Sequence, residues 1–231
     1  MFRTPFSRPA IIRTVAPSQI IRWCIALAVL AWLTTTSFGG SLDSWVVANI
    51  QRFQAELGNT PPGYQVMDSL MHVVSSVMRP AALIPIALLA ATALGAIPWI
   101  RWRALLIPLS IGGTLLITYS LKWLTDRSRP FDQPTTNIFG LPDAAFPSAH
   151  VAISATIGFA LVRNALGTLR RRTYRLIRFL TFLVIFTVGL SRIWLEAHWF
   201  TDVVGGLIAG LIGYLSAMYI LGFFRYLPAT Y

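Results

Sequence analysis

Long apolar runs, separated by short polar segments rich in arginine, dominate the pattern of this chain. A helix needs about 20 apolar residues to cross the hydrocarbon core of a bilayer. Six runs reach or nearly reach that length, at residues 21–38, 80–99, 104–123, 148–167, 176–195 and 201–223. The pattern therefore predicts an all-α protein, a six-span transmembrane helical bundle.

The segment between the first two runs is too polar to cross a membrane, yet it has helical periodicity. Apolar residues recur at helical spacing from Val46 to Leu57 and again from Val66 to Val77. Gly58-Asn59 and Pro61-Pro62-Gly63 interrupt the pattern between them. We therefore expect two short amphipathic helices on the outer face, either as a structural cap on the bundle or as a lid that shapes lipid entry.

Composition supports the membrane assignment. Hydrophobic residues make up 55% of the 231 residues and charged residues only 12%, against roughly 25% charged residues in soluble domains. A net charge of +11 could suit a nucleic-acid-binding protein, but these cations lie between apolar spans and not on one soluble face, which argues against a nucleic-acid partner. The one cysteine, Cys24, can form neither an internal disulfide nor a thiolate metal cluster.

The first run, which follows several arginines, could also be a cleaved signal peptide. Residues 34–38 are followed by no clear small-x-small cleavage site, which favours an uncleaved anchor. We expect residues 1–20 to form a basic cytoplasmic arm and residues 21–231 to form a single membrane domain.

Charge distribution predicts the orientation. If the N-terminus lies inside, the cytoplasmic segments contain thirteen cations and no carboxylate, whereas the other side receives six cations, all eight acidic residues and all three histidines. The positive-inside rule then places both termini in the cytoplasm. For a bacterial chain, this predicts a multi-pass inner-membrane protein whose ionisable chemistry faces the periplasm. The thirteen inner cations are Arg3, Arg8, Arg13, Arg22, Arg101, Arg103, Arg163, Arg170, Arg171, Arg172, Arg175, Arg178 and Arg225.

Three cations lie at outer ends of the predicted spans. Lys122 is the only lysine in a chain with eighteen arginines, which suggests a site that needs a compact ammonium donor. Arg129 and Arg192 lie at neighbouring span ends, where a charge at membrane depth is costly and commonly marks function. Each could alone be an interfacial anchor, but together they can surround a phosphate, whose oxygens guanidinium groups bind in pairs.

A second stretch, Phe146-Pro147-Ser148-Ala149-His150, immediately precedes the fourth run. Proline followed by serine is a plausible helix start. The backbone N–H groups of Ser148 and Ala149 are then expected to be free to bind an anion, with the positive end of the helix dipole behind them. An ordinary N-cap is the alternative, and His150 in the first turn is the unusual feature.

The third stretch runs from Ser191 to Asp202. His198 and Asp202 are four residues apart, which on a helix places both side chains on one face. The carboxylate can then accept the Nδ1 proton and leave a lone pair on Nε2, so that the imidazole can act as nucleophile or base. A structural His–Asp pair is the alternative, and Glu196 is expected on a different face.

Together the three stretches resemble the tripartite signature of the type 2 phosphatidic acid phosphatases (PAP2), a superfamily that also includes glucose-6-phosphatase and the vanadium haloperoxidases. The matching patterns are Lys122-x6-Arg129-Pro130, Pro147-Ser148-Ala149-His150 and Ser191-Arg192-x5-His198-x3-Asp202. The resemblance covers residues 78–223. It has one departure, since Ala149 stands where the family usually has glycine, which affects how closely a phosphate can approach.

The resemblance implies a metal-independent phosphatase without a cofactor. His198 would attack phosphorus and form a phosphohistidine, Asp202 would hold the tautomer of His198, and His150 would protonate the leaving oxygen and then activate water. The groups implied to hold the phosphate oxygens are Lys122, Arg129, Ser148, Ala149 and Arg192. The two histidines and the aspartate could instead bind a metal ion, but three neighbouring cations would repel it.

A site at the outer interface favours a lipid whose terminal phosphate lies at head-group depth. Phosphatidic acid, phosphatidylglycerol phosphate and polyprenyl diphosphate all fit, and undecaprenyl diphosphate is our first choice for a bacterial chain. Phosphoryl transfer to another lipid would use the same residues and is an alternative.

A membrane transporter is the alternative from another class. Small residues such as Gly206 and Gly210 would let its helices pack closely, within one chain or between two, so the oligomeric state stays open. A transporter would, however, carry ionisable groups near the midplane.

Overall fold

The computed structural model describes residues 15–59, 61–96, 104–131, 144–165 and 169–226. Within these ranges the regular structure consists of eight helices, and no strand is found. Residues 1–14 of the predicted arm, Arg101 and Arg103 lie outside the described residues. The helices are α1 (Pro17–Leu33), α2 (Ser37–Gly58), α3 (Pro61–Val77), α4 (Pro80–Gly95), α5 (Leu106–Thr125), α6 (Ala149–Ala165), α7 (Arg171–Trp194) and α8 (Phe200–Tyr226).

Five predicted spans each overlap one helix, whereas the first, residues 21–38, overlaps α1 and the start of α2. Helix α1 already begins at Pro17, inside the predicted arm, and it ends at Leu33. Three threonines in succession follow, and each hydroxyl donates to the carbonyl three residues earlier at 2.7 Å, a local bond that competes with helix continuation. The chain then turns by 83° into α2. A Cβ at position 39 would collide with the carbonyl of Leu33, so the turn needs the glycine found there.

Two described helices, α7 and the stretch Phe200–Phe223 of α8, are each long and apolar enough to cross a membrane. The pairs α1 with α2 and α3 with α4 meet that standard only together, across bends of 83° and 52°. The all-α prediction is therefore confirmed, whereas the number of spans stays a prediction. Large apolar side chains on α7 point outward, among them Phe179 and Phe182, which are 61% and 65% exposed, a surface suited to lipid.

Helices α2 and α3 occupy the two segments predicted as amphipathic, with the break at Asn59. Trp194 contributes to their contact with the bundle, because its ring lies 6.3 Å from that of Phe53 and 6.2 Å from that of Tyr64. The Trp194 indole also donates to Asp68 at 3.1 Å. Most of the predicted apolar face of α3 is exposed, and Val66 is 69% exposed, but Met71 is buried and Val74 packs against the core. Helices α2 and α3 therefore dock on the bundle through apolar contacts as well as aromatic and polar ones.

Helix α8 is the centre of the bundle and packs against α1, α5 and α6. Its glycines allow the close approach. A Cβ at Gly206 would lie 2.5 Å from the carbonyl oxygen of Ser148, and a Cβ at Gly210 would lie 2.5 Å from that of Ala152. The Gly206-x3-Gly210 stripe therefore packs against α6 of the same chain.

Successive helices of the bundle run in opposite directions, so four helix ends meet. The C-terminal ends of α5 and α7 and the N-terminal ends of α6 and α8 lie together at one end of the bundle, which we call the site end. Two backbone hydrogen bonds connect these ends, from Ala145 N to Arg127 O at 2.7 Å and from Ser148 N to Asp202 O at 3.0 Å. All three polar stretches of the sequence are thereby brought to the same place.

Candidate active site

Lys122 lies in the last turn of α5 and is only 4% exposed. Its ammonium group donates to the carbonyl oxygen of Ala144, in the segment that leads into α6. The negative end of the α5 dipole favours a cation at this position. The lone lysine therefore lies inside the site end, in contact with the chain just before Ser148.

Arg129 reaches the same region because α5 ends in a sharp turn. Asp126, the C-cap, has a φ of 39° in the left-handed region, which redirects the chain. The Arg129 guanidinium is half-buried and donates from Nη1 to the carbonyl oxygen of Ala197 at 3.3 Å. This contact places Arg129 against the turn that carries His198.

Ser148 is the N-cap of α6, and its carbonyl accepts the N–H of Ala152 at 3.0 Å. The prediction that the Ser148 backbone N–H is free was wrong, because that N–H donates to the carbonyl oxygen of Asp202. The fully buried Ser148 hydroxyl, however, has no hydrogen-bond partner among the described residues. An anion at this helix start would meet the serine hydroxyl and the first turn of α6, which begins with Ala149.

Arg192 lies in the last turn of α7 and is 7% exposed. Its Nη1 donates to the Ser75 hydroxyl of α3. Its Nε is buried and has no hydrogen-bond partner among the described residues. A buried N–H of a charged group is costly to leave unpaired, so this donor is one that an anionic ligand would satisfy.

The spacing argument assumed that His198 lies on a helix. His198 lies instead in the turn between α7 and α8. The backbone N–H groups of Ala197 and His198 both donate to the carbonyl oxygen of Arg192, at 3.0 and 3.2 Å, and this folds the turn back. The His198 Nδ1 then lies 3.6 Å from the Oδ2 of Asp202. This distance is beyond a hydrogen bond, and Nδ1 has no hydrogen-bond partner among the described residues.

Asp202 occupies the third position of α8 and is fully buried. Its Oδ2 accepts the N–H of Trp199 at 2.9 Å, as the carboxylate of a capping box does. Glu196 is directed elsewhere, since its Oε1 accepts from Gln51 at 2.8 Å. The expectation that Glu196 faces away from His198 therefore agrees with the geometry.

The electrostatic surroundings keep His198 neutral. Burial lowers the pKa of the His198 imidazole well below 6.5, and the charges of Arg192, Lys122 and Arg129 lower it further, while a backbone hydrogen bond at Ala145 acts in the opposite direction. At neutral pH the ring therefore retains a lone pair, which a nucleophile needs.

His150 is the second residue of α6 and is half-buried. It lies within electrostatic range of Arg192, His198 and Arg129. The structure thus places both histidines in one cation-rich region. The two histidines and Asp202 do not form a ligand group for a metal ion, and the described part of the chain contains no other such group of three.

Sequence reasoning missed Arg127 and Asp43. The Arg127 guanidinium donates from Nη1 to Asp202 Oδ1 and from Nη2 to Asp43 Oδ2, both at 2.6 Å. Asp43 lies on α2 and is 1% exposed. Arg127 stood two residues before Arg129 in the sequence and so carried a weak signal, whereas Asp43 carried none that separates it from an ordinary polar residue of a surface helix.

The PAP2 superfamily model matches residues 103–226, which is more than half of the chain and includes every predicted site residue. The chain belongs to the PAP2 superfamily. The resemblance carried by the three polar stretches is thereby confirmed for this PAP2 protein.

Two relatives match parts of this PAP2 protein. One, of Escherichia coli (strain K12), is provisionally named undecaprenyl-diphosphatase YbjG and is 30% identical over 127 residues, 51% of this chain and 58% of that protein. The other is phosphatidylglycerophosphatase B of Bacillus subtilis (strain 168), 28% identical over 115 residues, 48% of this chain and 54% of that protein. The chain therefore matches little more than half the length of these curated relatives.

The fold has a counterpart among solved structures. The crystal structure of a transmembrane PAP2-type phosphatidylglycerolphosphate phosphatase from Bacillus subtilis aligns with a TM-score of 0.67 and 20% identity, covering 92% of this chain and 98% of that one. At this identity the likeness shows a shared fold, including helices on the N-terminal side of the family match.

Proposed function

We propose that this PAP2 protein is a membrane lipid phosphatase that hydrolyses the terminal phosphate of a lipid phosphate or diphosphate through a phosphohistidine intermediate. One observation carries the proposal. The Ser148 hydroxyl and the Arg192 Nε are buried without partners among the described residues, in the same site end as the neutral imidazole of His198. Unpaired buried donors beside a nucleophile are what an oxyanion-binding site requires.

In the first step the Nε2 lone pair of His198 attacks phosphorus, and the bond from phosphorus to the lipid oxygen breaks. His150, in its imidazolium form once the anionic phosphate is bound, gives its proton to that leaving oxygen, and Asp202 stabilises the cationic ring of His198. In the second step water attacks phosphorus, His150 takes a proton from the water, and the phosphorus–nitrogen bond breaks. Inorganic phosphate leaves and both histidines return to their starting states.

The proposed phosphate-binding groups come from three helix ends. Lys122 and Arg129 come from the end of α5, Ser148 and Ala149 from the start of α6, and Arg192 from the end of α7. Fixed cations and hydroxyl groups in a buried site stabilise the charge that develops on the phosphoryl oxygens without reorganisation. This arrangement accounts for the chemistry without a metal or a cofactor.

Undecaprenyl diphosphate is the substrate we favour, with phosphatidylglycerol phosphate and phosphatidic acid as the other candidates. The names of the two relatives support the first two choices. The outward-facing phenylalanines of α7 support a lipid environment for the substrate. We further propose that both termini are cytoplasmic, so that the site end faces the outer side of the inner membrane.

The test is a phosphate-release panel with the three lipids in detergent, with and without EDTA. We expect inorganic phosphate from at least one lipid, undiminished by EDTA, and none from a folded His198→Ala variant. Glu196→Gln is the matched control, because its carboxylate is held by Gln51 away from the site, and it should remain active. Turnover that survives His198→Ala would exclude the phosphohistidine route, and loss of lipid phosphate without free inorganic phosphate would indicate transfer to another lipid.

A further inference from the structure

We infer that Arg127 and Asp43 are positioning residues for Asp202, so that α2, outside the matched PAP2 region, contributes to the active site. The inference rests on the proposed function, because it assigns a role relative to the carboxylate beside His198. The juxtaposition that carries it is a chain of charged contacts from Asp43 on α2 through Arg127 to Asp202 on α8.

The guanidinium of Arg127 spans the two carboxylates. Its Nη1 donates to Asp202 Oδ1 at 2.6 Å and to the Thr201 hydroxyl at 2.7 Å, while its Nη2 donates to Asp43 Oδ2 at 2.6 Å. Both carboxylates are essentially inaccessible to water, at 0% and 1% exposure. Charge-assisted bonds of this length in a buried place are strong and directional, so they fix the plane of the Asp202 carboxylate.

Asp43 also fastens the first turn of α8. Its Oδ1 accepts the Thr201 N–H at 2.9 Å and its Oδ2 accepts the Thr201 hydroxyl at 2.7 Å. The first N–H groups of a helix have no partner within the helix, and the carboxylate of a different helix supplies one here. Helix α2 therefore holds the turn of α8 that carries Asp202.

The division of the Asp202 oxygens shows what this network does for the site. Arg127 engages Oδ1, which leaves Oδ2 directed toward the Trp199 N–H and the Nδ1 of His198. A carboxylate that could rotate would present either oxygen, or neither, to the imidazole. With Oδ1 fixed, Oδ2 is available to accept a hydrogen bond from the Nδ1–H group when the ring becomes cationic.

The backbone of Arg127 adds a second connection, because its carbonyl accepts the Ala145 N–H at 2.7 Å. Its guanidinium also lies 5.7 Å from the centre of the Trp199 ring. Arg127 thus links α2, the segment before α6 and the start of α8. These contacts connect Arg127 to the Asp202 carboxylate and its surroundings, so in this proposal it supports the carboxylate while other groups hold the phosphate.

The experiment measures kcat and KM for Arg127→Gln and Asp43→Asn on the lipid that wild type hydrolyses. We expect kcat to fall about 10–100-fold, the loss typical of residues that orient a functional group, while KM stays within about 2-fold because uniform substrate binding is retained. Arg127→Lys keeps the charge but cannot bridge both carboxylates with a planar fork, so it should recover part of the activity. Arg52→Gln is the control, because Arg52 is an exposed residue of α2, the helix that carries Asp43, and its replacement should leave kcat unchanged.

A double-mutant cycle separates positioning from general support of the fold. In an Asp202→Asn background, Arg127→Gln should reduce kcat less than about 3-fold further, because residues that act through one another are not additive. A full multiplicative loss in that background, or a loss confined to KM, would overturn the inference. If wild type released no phosphate from any lipid, the proposed function would fail. Thermal unfolding of the same variants would still decide whether Asp43, Arg127 and Asp202 are coupled, and additive destabilisation would refute the network.

Discussion

The close approach of α8 to α6 allows one glycine to be tested for its effect on the active site. Gly206 is buried opposite the first turn of α6, and an alanine Cβ there would lie 2.5 Å from Ser148 O and 3.1 Å from the Cβ of Val151. Ordinary contacts begin at 3.4 Å, so α6 and α8 would have to separate by about 0.9 Å at this level, the difference between 3.4 and 2.5 Å. The obstacle is a backbone carbonyl, which cannot rotate away as a side chain can.

Two effects follow from this displacement. Overpacking of this kind costs about 1–3 kcal/mol of unfolding free energy, against a gain of about 1 kcal/mol from replacing glycine by alanine in a helix. The catalytic cost is larger. Ser148 and His150 move with α6 while Asp202 moves with α8, and a misplacement of about 1 Å can cost 10²-fold in rate. We therefore expect Gly206→Ala to be folded, somewhat destabilised, and reduced in kcat by about 10²-fold.

The assay pairs kcat for phosphate release with thermal unfolding in detergent, and two variants serve as controls. Gly112→Ala is the matched control on α5, because a Cβ there meets nothing within 4 Å; it should be as stable as wild type or slightly more so, and fully active. Gly210→Ala meets the carbonyl of Ala152 at the same 2.5 Å but one turn farther from Ser148, so it should destabilise the fold similarly and reduce kcat less. Wild-type stability and kcat in Gly206→Ala would show that the two helices are not in contact here.

Two further predictions concern single side chains at the site end. Lys122→Arg should lower kcat by about 10²-fold, the effect of losing one oxyanion donor. The reason is that the buried ammonium fits against Ala144 O, whereas a larger planar guanidinium does not. Unimpaired kcat in steady-state assays would show that the site does not need a lysine at this position. His198 has a folded-state pKa well below 6.5, so below pH 6.5 the unfolded chain takes up a proton that the folded protein does not, and this contribution lowers stability by up to about 1.4 kcal/mol per pH unit. Between pH 7.5 and 5 the midpoint temperature of thermal unfolding should therefore fall more steeply for wild type than for His198→Gln. Parallel curves for the two proteins would contradict the lowered pKa.

The sequence by itself predicted the helical elements and most residues of the candidate site. Apolar runs predict helices because buried positions repeat with the helical period, so each predicted span overlaps a helix, and α2 and α3 cover the two segments predicted between the first two spans. Lys122, Ser148, Arg192 and His198 could be singled out because charged and polar groups are rare and costly beside apolar runs. Their spacing within each stretch carried the family resemblance.

Only the tertiary structure decided how these groups are connected. The partners Asp43 and Arg127 are 84 residues apart, and Asp43 and Thr201 are 158 apart, and no local pattern encodes which helix ends meet. The same limit explains why the Ser148 N–H was wrongly expected to be free, since its acceptor, Asp202 O, belongs to another helix. Hydrophobic periodicity specifies which face is buried, but the pairing of buried polar atoms depends on the packing of the whole bundle.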